Sequence, residues 1–437
     1  MAPEKDADRT SQDQELWEDL DRDEDPFADI DRRQRRRSRR SGMQATTLAR
    51  TGAGRLLIGA VAALLAATIA GLVALWPGSS EAQGPSQAFG GASVVATVDR
   101  ASTAPCSGPV EQQCRRIDVT VDDGPDAGQT STITLGPAAV TPDIEAGAHI
   151  RVVHVDVPQG ANPRQVEPYQ FVDYDRKGSL VWLAVGFAAL VLLLARWRGL
   201  LALIGLGLSL LLVTKFLIPA ILAGSSPLLV SLTGALAVMF VTLGLTSGVG
   251  AQSLAAALGI GGSLLLATLL GDAYVHIAHL NGYTGELSTV FGQSNVHVSL
   301  EGIVVAGIVI GALGVLADMG VTQASAVMAL RRANPSLAPR ELYRGAFVVG
   351  RDHLSATIHT LVLAYVGAAL PLLLLLRSSN VATADAFNTQ DVAEPIVATL
   401  VGSIGLIAAV PLTTGLAAVL VARVPASALS GHGGHQH

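Results

Sequence analysis

From Leu56 to Arg423 the chain alternates long apolar runs with short polar breaks. The first run is Leu56–Trp76, and the others lie near 180–195, 199–222, 228–246, 253–274, 299–317, within 345–376 and near 396–422. About 20 apolar residues in a helix cross a hydrocarbon core of roughly 30 Å, so the pattern predicts eight transmembrane helices. The long interval after the first run has a different period. "SVVATVDR", "RRIDVTVDDG", "QTSTITLG" and "AHIRVVHVDVPQ" alternate apolar and polar residues, are rich in Val, Ile and Thr, and are broken by Gly, Pro and Asp. That is the signature of short strands, in a β-barrel or a β-sandwich. The expected fold is an α-helical polytopic membrane protein carrying a small extracytoplasmic β-domain. Its expected parts are an arm over 1–54, a signal-anchor helix over 55–76, the β-domain over 77–178, a seven-helix domain over 179–424 and a His-containing tail over 425–437.

Composition agrees with this reading. Half of the 437 residues are hydrophobic and only 15% are charged, with a mean hydropathy of +0.46, too little charge for a soluble chain of this length. Acids crowd the first 31 residues, and seven arginines follow between Arg32 and Arg40. Such an arm lacks the apolar residues for a core and is expected to be disordered. Its arginines directly precede an apolar span, so they are read as a positive-inside anchor on the lipid bilayer rather than as a nucleic-acid site. Arg196, Arg198, the Arg331–Arg344 cluster and Arg423 then fall on the same side as the arm, which places both termini in the cytoplasm. The two cysteines, Cys106 and Cys114, lie in the extracytoplasmic interval. They are expected to form a disulfide if that compartment is oxidising, with two free thiols as the alternative.

Candidate chemistry comes from ionisable residues within or beside the apolar runs, where charge is costly and often marks a pathway. Gly307, Gly311, Gly314 and Asp318 share one helical face, which suggests close helix packing by the glycines and an ion or proton site at Asp318. Arg351, Asp352 and His359 head another span, with Asp352 and His359 on one face, and Asp318 is the expected partner of Arg351. If their helix continues far enough, Asp272, His276 and His279 line one face and offer a weaker metal site. No nucleophile elbow, phosphate loop, dinucleotide fingerprint or HExxH motif is present. The chain is therefore not expected to be an enzyme, and no cofactor can be named.

Several segments resemble the YibE/F-like family of bacterial membrane proteins. They are "FLIPAILAGSSPL" (Phe216–Leu228), "GIVIGALGVLADMGVTQASAV" (Gly307–Val327), "ANPSLAPRELYRGAFVVGRDHLSATIHTLVLAYVGAALPLLLL" (Ala333–Leu375), which contains Asn334-Pro335 and Gly350-Arg351-Asp352, and "AEPIVATLVGSIGLIAAVPLT" (Ala393–Thr413). Arg331-Arg332 stand where the family often has an acid before Asn-Pro, and the N-terminal arm looks like an addition. The resemblance implies a multi-pass protein of the bacterial cytoplasmic (inner) membrane, with Asn334 joining the candidate residues, but it carries no activity. The expected function is a permease for an ion or small solute. The alternative is a scaffold or assembly factor that presents its β-domain to an extracytoplasmic protein partner. A homo-oligomer fits either.

Overall fold

The computed structural model describes residues 52–78, 93–106, 112–155, 167–248, 250–283, 299–379 and 382–423. The arm expected over 1–54 lies outside the described residues up to residue 51, its last three residues opening the first helix, and the tail expected over 425–437 lies outside them altogether. The helices are α1 (Gly52–Ala74), α2 (Lys177–Leu212), α3 (Ile218–Leu222), α4 (Pro227–Thr246), α5 (Ala251–Ile277), α6 (Leu300–Ala333), α7 (Pro339–Ser378), α8 (Thr383–Asn388) and α9 (Gln390–Val421). A π-helical turn, Val213–Leu217, joins α2 to α3. Among the described residues, seven helical runs are long and apolar enough to cross a membrane.

The sequence pattern divides the chain at Arg196, within what is otherwise one continuous helical run. The run Lys177–Leu222 counts 46 residues, about 69 Å if it were straight, more than twice a hydrocarbon core. It is not straight. Arg196 has φ 48° and ψ −129°, outside the helical region. A β-carbon on Gly199 would lie 2.5 Å from the Val191 carbonyl oxygen, although eight residues of straight helix separate positions by about 12 Å. The chain therefore folds sharply at Arg196, where the sequence expects one span to end and the next to begin.

Three helices form the core of the helical region. α5, α6 and α9 pack on one another around Ile260, Leu264, Leu316, Met319, Leu406 and Val410. Small residues let them approach: a β-carbon on Gly405 would sit 3.2 Å from that of Ala267, and one on Gly271 would sit 3.2 Å from Ile308. α7 lies outside this core, against α6 and α9, with Leu342, Ala346 and Gly350 buried.

The β region is one antiparallel sheet of β1 (Val94–Pro105), β2 (Gln113–Val121), β3 (Thr130–Pro137), β4 (His149–His154) and β5 (Tyr169–Tyr174), in the order β3-β2-β1-β4-β5. Ile117, Val119 and Val121 alternate inward along β2, as a strand with one buried face requires. The sheet curls until β3 meets β5. Both the amide and the hydroxyl of Thr134 donate to Glu167, just before β5. This single curled sheet, its edge strands linked through Glu167 rather than by a backbone ladder, is closer to the barrel alternative than to the sandwich and encloses Val98, Ile133, Ile150, Val152 and Tyr169. Cys106 and Cys114 are joined in a disulfide across the β1–β2 hairpin, with their Cα atoms 5.0 Å apart. β5 falls within the expected β-domain over 77–178 but outside the four alternating segments that the sequence singles out.

Candidate functional site

The α6–α7 hairpin sets the site. Asn334 Oδ1 accepts from the Ser336 amide at 3.1 Å and from its hydroxyl at 2.6 Å, turning the chain after α6. Asp318 is fifteen residues before the end of α6, and His353 is fourteen after the start of α7. In an antiparallel hairpin those positions are level, about 22 Å from the loop. His353 Nε2 accordingly lies 3.4 Å from Asp318 Oδ2. The pair opens into a cavity of about 370 Å3, bordered by Gly314 and Val315 of α6 and by Ala356, Thr357 and Thr360 of α7.

The polarity of this groove follows from local hydrogen bonding. The Thr357 hydroxyl donates to the His353 carbonyl at 2.9 Å, and the Thr360 hydroxyl to the Ala356 carbonyl at 3.0 Å. With their protons committed to the helix, both oxygens offer lone pairs to a ligand. The Asp318 carboxylate adds two more acceptors, and the imidazole can exchange a proton. The lining is otherwise apolar, so the set suits a cation or a proton better than an anion.

Beside the groove, α7 presses on a buried amide. Gln323 is fully buried, and its Oε1 accepts from the Thr414 hydroxyl of α9 at 2.9 Å. Gly350 lies flat against that carboxamide: a β-carbon there would be 2.6 Å from Nε2 and 2.7 Å from Oε1.

The structure regroups the residues singled out in sequence. Asp318 sits within a long helix rather than at its end, and its partner is His353, not Arg351. Arg351 lies 4.0 Å from Asp352 instead, and both are largely exposed. His359 is also exposed, with Nδ1 held 2.7 Å from the Ser355 carbonyl of its own helix. It faces away from the groove, because α7 packs through the opposite face. Gly307 and Gly314 have open space where a β-carbon would go, and Gly311 meets only the Tyr365 hydroxyl, so this stripe leaves room rather than packing helices together. Asn334 closes the hairpin loop and does not line the groove. His276 Nδ1 is 2.7 Å from the Asp272 carbonyl, but α5 ends at Ile277 and His279 turns off the helix with φ 53°. Among the described residues no three His, Cys, Asp or Glu side chains are placed to hold a metal.

His353, Thr357 and Thr360 were missed as a set. Their signal was available: Ala346, Gly350, His353 and Thr357 recur at spacings of four, three and four, a stripe of small and polar residues facing the rest of the protein.

The family model described as YibE/F-like protein matches residues 183–423, more than half of the chain. The chain belongs to the YibE/F-like family. The match takes in α6, α7 and α9, hence the whole α6–α7 groove, and begins beyond β5, so the barrel stands outside it. No curated relative and no solved structure matches the chain. With its long apolar helices, this YibE/F-like chain reads as a multi-pass membrane protein.

Proposed function

We propose that this YibE/F-like protein is a permease that moves a small cation or protons, with Asp318 and His353 as the exchanging pair. The observation that carries this reading is the α6–α7 groove. It holds a carboxylate, an imidazole and two threonine oxygens, and lies among helices long and apolar enough to cross a membrane. Its setting is the inner membrane of a bacterium. The fold at Arg196 supports eight spans, which put both termini in the cytoplasm and the barrel outside. Intramembrane ionisable groups are expensive, and a pathway is the commonest reason to keep them. An Asp–His pair cycles naturally, since protonating the imidazole weakens the claim of the carboxylate on an external cation.

The test is flux in proteoliposomes under proton, alkali-cation and divalent-cation gradients. Wild type is expected to pass one of them, and Asp318→Asn and His353→Gln to lower that flux by about tenfold or more while remaining folded. Absence of flux under every gradient sinks the permease reading.

A second reading is favoured by one feature of the barrel. A surface cleft of about 510 Å3 is bordered by Asp99, Arg100, Arg115, Asp143 and Glu145, with Arg115 pinned by Asp143. Mixed charge around a concave surface suits a protein partner. A scaffold with no flux of its own would retain a stoichiometric partner on this cleft and lose it in Arg100→Glu.

A further inference from the structure

We infer that α7 is the contact helix of a symmetric dimer, its partner a second copy of this chain. The helix has two unlike faces. One packs on α6 and α9 through Leu342, Ala346, Gly350, Leu354 and Ile358. On the other, Val348, Asp352, Ser355, His359, Val366 and Leu370 are all exposed. With Leu363, itself 68% exposed, they recur at spacings of four, three, four, four, three and four. That near-heptad rhythm is what a helix needs to lie along another helix of the same kind.

Lipid can cover the valines and leucines, and Ser355 returns its hydroxyl to the Arg351 carbonyl, but lipid does not account for Asp352 and His359. Asp352 has only Arg351 within reach among the described residues, at 4.0 Å and poorly paired. His359 spends Nδ1 on its own helix, which leaves Nε2 directed outward with no partner among the described residues. Ionisable groups turned to lipid are costly and rarely kept without a partner. Polar residues set into an otherwise apolar seam are a known means of fixing register and partner number.

The charges select the occupant. Arg351 immediately precedes Asp352 and flanks the seam. In a parallel, two-fold pair of helices, a residue preceding a seam position lies against the equivalent seam position opposite. Arg351 of each copy then reaches Asp352 of the other, twice by symmetry, and no charge is left over. Two seam layers farther along, past Ser355, the two His359 rings face each other. The inference does not depend on the permease reading, because the seam uses none of Asp318, His353, Thr357 or Thr360.

The full chain would be tested in lipid nanodiscs by native mass spectrometry and in its own membrane by cysteine cross-linking. Val366→Cys is a clean probe, since Cys106 and Cys114 are already joined. The expected result is a two-copy mass and a Val366→Cys cross-link on mild oxidation, with none from Leu194→Cys on the exposed surface of α2. Arg351→Asp and Asp352→Arg alone should each weaken the dimer about tenfold, and the double reversal should restore it. A single-copy mass at every lipid dilution overturns the inference. So does a dimer that cross-links through α2 and not through α7.

Discussion

Gly350 shows how one hydrogen atom can decide a packing arrangement. It lets α7 rest on the carboxamide of Gln323 while Gln323 still accepts from Thr414. Gly350→Ala would push a methyl group into a fully buried amide, at an expected cost of about 1–3 kcal/mol. Gly307→Ala, into open space on α6, should be neutral or raise stability by about 0.5–1 kcal/mol, because a helix interior prefers alanine. Thermal melts of the two variants in detergent check the contrast, and equal losses would refute it. On the barrel, burial and the Asp126 carboxylate push the Tyr169 phenol up to about 12. A group whose folded value is raised contributes stability below its unfolded value, near 10 for tyrosine, and loses it as pH climbs through the folded one. The barrel should therefore weaken between about pH 10 and 12. Tyr169→Phe should flatten that fall, as pH-dependent circular dichroism melts will show. The variant also forfeits a hydrogen bond worth about 1 kcal/mol at neutral pH.

At the scale of the element, the α6–α7 hairpin and the β1–β2 hairpin each make a device from simple register. Helices of 34 and 40 residues, joined by a turn that Asn334 closes, bring positions equally far from the loop face to face. That is why Asp318 meets His353 and why Arg351, half a turn away on α7, points elsewhere. Arg331 fixes the same end, donating to the Leu337 carbonyl at 2.8 Å and to the Ala422 carbonyl at the end of α9 at 3.2 Å. In the barrel, the disulfide closes a short loop with a sequence separation of 8. Loop-entropy arguments give about 2.5 kcal/mol for a loop of that size. A Cys106→Ser, Cys114→Ser double variant should lower the barrel's melting temperature by several degrees and leave the helical signal unchanged.

At the scale of the whole molecule, the proposed eight-span arrangement makes a prediction about sidedness. In that proposal both termini are inside, the barrel is outside and the α6–α7 loop is inside. In intact cells an impermeant maleimide should label Asp126→Cys on the barrel and spare Ser336→Cys in the loop. Permeabilised cells should label both. If the Arg196 fold does not return the chain across the membrane, seven spans remain, and Ser336→Cys will be labelled from outside.

The sequence by itself determined the helical and strand periods, the approximate span boundaries including the division at Arg196, the cysteine pair as a candidate bridge and Asp318 as a candidate site residue. These are local properties: hydropathy and alternation depend on neighbours in the chain, and a charge in an apolar run is visible without a fold. Tertiary structure alone decided who meets whom. A helix face read from spacing does not say which way it is turned. The face carrying Asp352 and His359, a candidate for chemistry from the sequence, lies outward in the structure, while the face of Gly350, His353 and Thr357 lies against α6. The glycines divide the same way. Those of α5 and α9 at 271 and 405 meet another helix, and those of α6 at 307 and 314 meet nothing, although all four sit in similar apolar sequence. The strand β5 needed the sheet to be recognised, since only its pairing with β4 marks it as a strand. Contact between distant residues depends on how helices cross and sheets close, and no local pattern along the chain encodes that.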